Sequence, residues 1–172
     1  ETSVLADWVA KNIGKESIVT QQTDPIGQSA GANWQKFYTS AGGKIIAQES
    51  VAFEQADYRS VLTKLRAPAA QANVWFIAGT YGEDAKRLIT QARTLGIATR
   101  IASASVTVTT LERGNPAYQG IVHTQLRAQP TPAFIDAFKS KYGAEPEFYS
   151  AAYYNGVMIF AKALEHAIAK GY

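Results

Sequence analysis

Strands that alternate with single helices predict an α/β protein, a doubly wound and mainly parallel five-stranded sheet with helices on both faces. Three observations predict it. Val74 to Gly79 is a continuous apolar run, as in a strand buried on both sides. Apolar residues recur at helical spacing between successive strands, as in Ala85, Leu88, Ile89, Ala92 and Leu95. Glycines stand where those helices stop, at Gly14, at Gly42-Gly43 and at Gly96.

The elements follow in order. Val4, Leu5, Trp8, Val9 and Ile13 predict an opening helix. Ser17 to Gln22 reads as a strand, and Asp24-Pro25 as the turn into a helix carrying Ala30, Trp34, Phe37, Tyr38 and Ala41. Lys44 to Glu49 is a second strand; Asp57 is the expected N-cap of a helix through Tyr58, Val61, Leu62 and Leu65, with Pro68 beyond its stop. After the strand at Val74, Thr80-Tyr81-Gly82-Glu83 has the letters of a capping box. Arg100 to Ser103 and Gly120 to Thr124 supply the remaining strands, around a polar segment, Thr107 to Pro116, with room for a short helix.

The pattern changes after Arg127-Ala128-Gln129-Pro130. Thr131-Pro132 is an N-cap with proline at the first helical position, leading a stripe of Phe134, Ile135, Phe138 and Tyr142 that ends at Gly143. A longer helix, from about Glu147 to Lys170, carries Tyr149, Tyr153, Val157, Phe160, Leu164 and Ile168. These two helices come without a strand. Each large apolar side chain contributes about 1.5–3 kcal/mol on burial, so several left in water would forfeit an amount comparable to a whole domain's stability. Residues 131–172 are therefore expected to belong to a second lobe whose strands are missing, or to meet another chain.

Composition narrows the class. The 172 residues are 47% hydrophobic and 18% charged, inside the globular range and outside that of disordered chains. Seventeen Lys and Arg against fourteen Asp and Glu leave a net charge of +3, and the basic residues are scattered, which argues against nucleic acid as a partner. The absence of cysteine excludes disulfides and thiolate chemistry. No stretch is long and apolar enough to span a membrane, and no secretory leader opens the sequence. A start at Glu1 without methionine reads as a processed protein or a fragment.

In doubly wound sheets ligands sit at the carboxyl ends of the strands where the winding reverses. That singles out Thr23 to Gln28, Gly79 to Glu83 and, next, Ser103-Ala104-Ser105, whose hydroxyls, aromatic ring and helix-start amides suit a small polar or anionic molecule. Asp24 and Thr80 are most simply helix caps, whereas Tyr81 beside Gly82 is either surface cover or a ring that closes over a ligand. Gly27-Gln28-Ser29-Ala30-Gly31 has the letters of a nucleophile elbow, yet Asp24-Pro25 separates it from the strand and puts Ser29 in a helix. The two histidines, His123 and His166, stand apart and form no metal site, and the sequence has no glycine-rich dinucleotide or phosphate loop. No catalytic residue, metal or cofactor is expected.

The order of motifs resembles the type I periplasmic solute-binding proteins, in particular the branched-chain amino acid subgroup that serves ABC transporters. It is carried by Ser17-Ile18-Val19 with Asp24-Pro25-Ile26-Gly27, then Gly42-Gly43-Lys44-Ile45-Ile46, then Asp57-Tyr58 with Val61, Leu62 and Leu65. Ala78-Gly79-Thr80-Tyr81, Gln91 to Ile97 and Tyr153-Tyr154-Asn155-Gly156-Val157 complete it, over nearly the whole chain. The resemblance implies two lobes that close on a solute like a hinged trap. It assigns residues 1–124 to the second lobe, 125–130 to an interlobe crossover and 131–172 to two helices of the first lobe, whose sheet is absent.

The resemblance also implies ligand contacts at Asp24, Ile26, Thr80, Tyr81, Ser103, Ala104 and, from the other lobe, Tyr149. Amino acid binders of the group carry a glutamate where Ala104 stands, and a buried ammonium without a partner costs several kcal/mol. An aromatic or aliphatic carboxylate is thus the better expectation. The implied setting is periplasmic or otherwise extracytoplasmic, with a membrane permease as partner, no enzymatic activity, and self-association through residues 131–170. A sensing module of a receptor or transcriptional regulator with the same fold is the second reading.

Overall fold

A computed structural model describes residues 1–104, 115–124, 130–146 and 149–171. The described residues form two compact units, Glu1–Gln125 and Leu126–Tyr172.

In the first unit the chain runs α1 (Thr2–Asn12), β1 (Glu16–Gln22), α2 (Pro25–Ser40), β2 (Lys44–Val51), α3 (Arg59–Ala69) and β3 (Val74–Ala78). It continues through α4 (Gly82–Thr94), β4 (Arg100–Ser103), a single 3-10 turn (Pro116–Tyr118) and β5 (Val122–His123). The five strands lie in the order β2-β1-β3-β4-β5 and every pair is parallel. The winding therefore reverses between β1 and β3, whose carboxyl ends are neighbours, with Gln21 opposite Ala78.

Side chains alternate across the pleat, so adjacent residues of one strand enter different cores. Ile18, Trp75, Ile77 and Ile101 join Leu62 and Leu65 of α3 and Leu88 and Ile89 of α4 on one face. Val19, Val74, Phe76 and Ala102 join Leu5 and Val9 of α1 and Trp34 and Tyr38 of α2 on the other. All five residues of β3 are buried, as its unbroken apolar run predicts. Trp34 stacks on Phe76 with centroids 4.1 Å apart and on Tyr38 at 4.6 Å. Two hydroxyls buried in β1 satisfy the indoles: Trp34 Nε1 donates to Ser17 Oγ at 3.1 Å and Trp75 Nε1 to Thr20 Oγ1 at 3.0 Å. The Tyr38 hydroxyl donates to the Gly14 carbonyl at 2.8 Å, and burial, aided by the negative charge of Glu16, pushes the phenol up to about 12.

Several helix ends differ from the sequence expectation. Asp57 is not the N-cap of α3; that place falls to Tyr58, whose ring is buried and whose N–H donates to Gln91 Oε1 at 2.7 Å. Asp57 instead accepts from the Arg59 N–H and pairs with its guanidinium, which holds the carboxyl down at about 2. Pro68 lies in the last turn of α3, not beyond it, and the helix ends one residue later. The capping box at Thr80 does not form. Gly79 and Gly82 take left-handed backbone, at φ +77° and +53°, so the N-cap of α4 moves to Tyr81 and the Thr80 hydroxyl is buried without a hydrogen-bond partner. β5 is shorter than Gly120 to Thr124, and the polar segment expected over 107–116 falls mostly outside the described residues.

The second unit is a helical pair, α5 (Pro132–Tyr142) and α6 (Ser150–Ala169). Thr131 caps α5, its Oγ1 accepting from the Phe134 N–H at 3.2 Å, and Gly143 closes it at φ +68°. The start expected for α6 near Glu147 falls outside the described residues, and its helix is observed from Ser150. The ring of Phe134 packs tilted against those of Phe138 and Tyr154, and between the helices runs an apolar groove of about 670 Å³. α5 buries no residue and α6 only Ala151, leaving Tyr153, Val157, Ile159, Phe160 and Ile168 in solvent. Among the described residues no helix is long and apolar enough to cross a membrane.

Candidate functional site

The site at the winding reversal is built from two loops that touch backbone to backbone. A Cβ on Gly79 would collide with the Gly27 Cα and lie 2.7 Å from its nitrogen. Gly27 in turn is pressed against Gln22, where a Cβ would meet the carbonyl oxygen. Only glycine permits this approach, and at Gly79 the left-handed backbone demands it as well. The consequence is that the starts of α2 and α4 are held side by side at the carboxyl ends of β1 and β3.

Asp24 is the N-cap of α2: its Oδ1 accepts from the Gly27 N–H at 2.6 Å. Gln28 Nε2 donates to the Thr23 carbonyl at 2.7 Å, and the Thr23 N–H to Val51 at 3.0 Å, which ties this loop to the end of β2. Ile26 follows Pro25 at the helix start and is 58% exposed. Thr80 is buried behind Tyr81, the half-buried N-cap residue of α4. Ser103 ends β4 with its side chain buried and Oγ 3.4 Å from the Ile77 carbonyl; Ala104 follows it, half-buried against the α1–α2 face. The loops thus bring Asp24, Ile26, Thr80 and Tyr81 to one edge of the sheet, with Ser103 and Ala104 on the adjacent strand end. Tyr149 belongs to the second unit, 48% exposed, its ring 5.8 Å from that of Tyr153.

A network not foreseen in the sequence flanks Tyr81. Asp84, buried in the first turn of α4, accepts from the Glu54 N–H at 2.8 Å and from Arg87 Nη1 at 2.9 Å, and Arg87 also donates to the Gln55 carbonyl at 2.8 Å. These bonds fasten the loop after β2 to α4. Burial, then the negative charge of Asp84, raises the Tyr58 phenol above its ordinary value. The signal available beforehand was an aromatic, Phe53, just past the end of a strand.

The nucleophile reading of Ser29 fails on geometry: Ser29 lies within α2, exposed, one turn beyond its start, and not on a strand-to-helix elbow. Among the described residues no group of three His, Cys, Asp or Glu side chains could hold a metal ion.

A model of a periplasmic binding protein family matches residues 1–171. The chain belongs to that family. No curated protein matches it. Among solved structures, this periplasmic binding protein chain is similar to a leucine binding protein of Thermotoga maritima, with 23% identity, a TM-score of 0.79, and coverage of 96% of this chain and 49% of that one. It is similar to a solute binding protein of an ABC transporter from Rhodopseudomonas palustris in complex with 3,4-dihydroxy benzoic acid, with 21% identity, a TM-score of 0.73, and coverage of 96% and 48%. A third is an ABC transporter substrate-binding protein from Desulfitobacterium hafniense complexed with Leu, with 19% identity, a TM-score of 0.72, and coverage of 96% and 48%. The chain spans about half the length of the solved chains it matches.

Proposed function

We propose that this chain is the ligand-gripping part of the solute-binding component of an ABC transporter, holding a small organic solute in a cleft between two lobes. The meeting of the Thr23–Gln28 and Gly79–Glu83 loops through Gly27 and Gly79, at the winding reversal of the sheet, carries this reading. Ile26, Tyr81 and Ala104 then line the solute, with the buried Thr80 and Ser103 supporting the loop ends and Asp24 shaping the first loop by capping α2. Residues 1–124 form the second lobe, 125–130 a crossover and 131–172 two helices of the first lobe, whose sheet lies outside this chain.

Ala104 offers no acid to an ammonium, which favours a carboxylate solute without an amine over a standard amino acid. Family membership implies an extracytoplasmic setting, and transport adds a membrane permease as partner; the role is binding, with no covalent step. The apolar surface of α5 and α6 supports pairing with a second copy of this chain through residues 131–170, and light scattering of a monomer at high concentration would count against it.

The deciding experiment is an NMR titration of the chain with amino acids and with aromatic and aliphatic acids. Amide shifts at residues 23–28, 79–83 and 103–104 on adding one class are the expected result. Shifts that leave these three loops untouched, or none with any class, reject the site.

A further inference from the structure

We infer that the solute site extends to the carboxyl end of β2, where Phe53 forms a second aromatic wall across a cavity from Tyr81, and that its solute is an aromatic ring bearing hydrogen-bond donors. The inference rests on the reading of Tyr81 as a solute contact.

Phe53 and Tyr81 line one open cavity of about 420 Å³, together with Glu54, Glu83, Asp84 and Arg87. That volume lies within the range of small-molecule sites, roughly 300–1,000 Å³. Phe53 is 64% exposed and belongs to neither core, so packing does not account for a phenylalanine there. Nor is its loop loosely held. Glu54 takes a left-handed φ of +54°, the only such non-glycine among the described residues, and its N–H is fixed by Asp84 while Arg87 holds the Gln55 carbonyl. A residue keeps such a conformation when its surroundings over-determine it, as at binding sites. The ring of Phe53 is therefore presented to solvent by a pinned turn next to a residue of the proposed site.

The lining sets the chemistry. Arg87 pairs with Asp84 at 2.9 Å and Lys86 with Glu83 at 4.0 Å, which leaves the Glu54 carboxylate as the excess charge; this disfavours a bare carboxylate in this cavity and favours donors. The ring of the solute then lies between Phe53 and Tyr81, its hydroxyl groups toward Glu54 and Glu83, and its carboxylate toward the amides at the helix starts.

The test uses 3,4-dihydroxybenzoate and benzoate as probes, titrated by NMR into the full chain and its variants Phe53→Ala, Phe53→Tyr and Tyr81→Ala. The expected result is tighter binding of 3,4-dihydroxybenzoate than of benzoate, weakened about ten-fold by Phe53→Ala and restored by Phe53→Tyr. Exposure of Phe53 means that Phe53→Ala keeps the wild-type unfolding midpoint. Wild-type affinity in Phe53→Ala with loss in Tyr81→Ala overturns the role of Phe53 and leaves the proposed site standing. Wild-type affinity in both variants rejects the site as well. Equal binding of the two probes overturns the assignment of ring donors, and no binding of either overturns the aromatic solute.

Discussion

Replacing Gly79 by alanine tests the contact on which the site depends. Two effects add at that position. A non-glycine residue in left-handed backbone costs roughly 1–2 kcal/mol, and φ at Gly79 is +77°. The new methyl also strikes the backbone of Gly27, which unlike a flexible side chain cannot swing away, and overpacking of this kind costs about 1–3 kcal/mol. The sum is about 2–5 kcal/mol, a large part of a domain's stability of about 5–15 kcal/mol. Gly96 is the control: its φ is +80° but nothing stands within 4 Å of an added Cβ, so Gly96→Ala meets the conformational cost alone. Urea unfolding of both variants measures the difference. With a slope near 2 kcal/mol per molar, Gly79→Ala is expected to unfold about 0.5–1.5 M below Gly96→Ala, and to lose solute binding where Gly96→Ala keeps it. Equal midpoints for the two would refute the claim that the loops are held by this approach.

Further predictions follow from the cores and the charges. Trp34→Ala removes a side chain stacked on both Phe76 and Tyr38 and should destabilise by about 3–5 kcal/mol, whereas Ser17→Ala strands the indole N–H and removes the hydroxyl's bond to the Ile18 carbonyl and should cost about 1–3 kcal/mol, both read by urea unfolding. The Tyr38 phenol, raised to about 12 in the fold from 10.0, keeps its proton where the unfolded chain loses it, so stability should fall as pH rises from about 10 to 12; Tyr38→Phe should flatten that alkaline decline. Asp57 should titrate near 2 by carboxyl NMR, and Arg59→Ala should return it toward 3.8.

What the sequence made legible was whatever depends on local pattern. The apolar run of β3, the Thr131-Pro132 start and Gly143 stop of α5, and the Asp24 cap of α2 all follow from residue type and spacing alone. The misplaced helix starts have a shared cause: tertiary contacts decided them. Gln91, far along the chain on α4, takes the Tyr58 N–H and sets where α3 begins, and two left-handed glycines move the cap of α4 past Thr80. For the candidate site, the loops after β1 and β3 were legible because the winding reversal fixes their place. Asp84, Arg87 and Phe53 were not, since their significance lies in bonds across some thirty residues of sequence, such as that from Glu54 to Asp84.

The buried indoles also make the protein its own reporter. Trp34 and Trp75 are wholly enclosed and Trp8 is 45% exposed, and all three stand in the sheet-bearing unit, with none in the helical pair. Selectively excited tryptophan emission therefore follows the melting of the sheet unit alone, while far-ultraviolet dichroism also counts α5 and α6. Superimposed traces mean that both units lose structure in one step, and a dichroism change that precedes the red shift means that the helical pair unravels first.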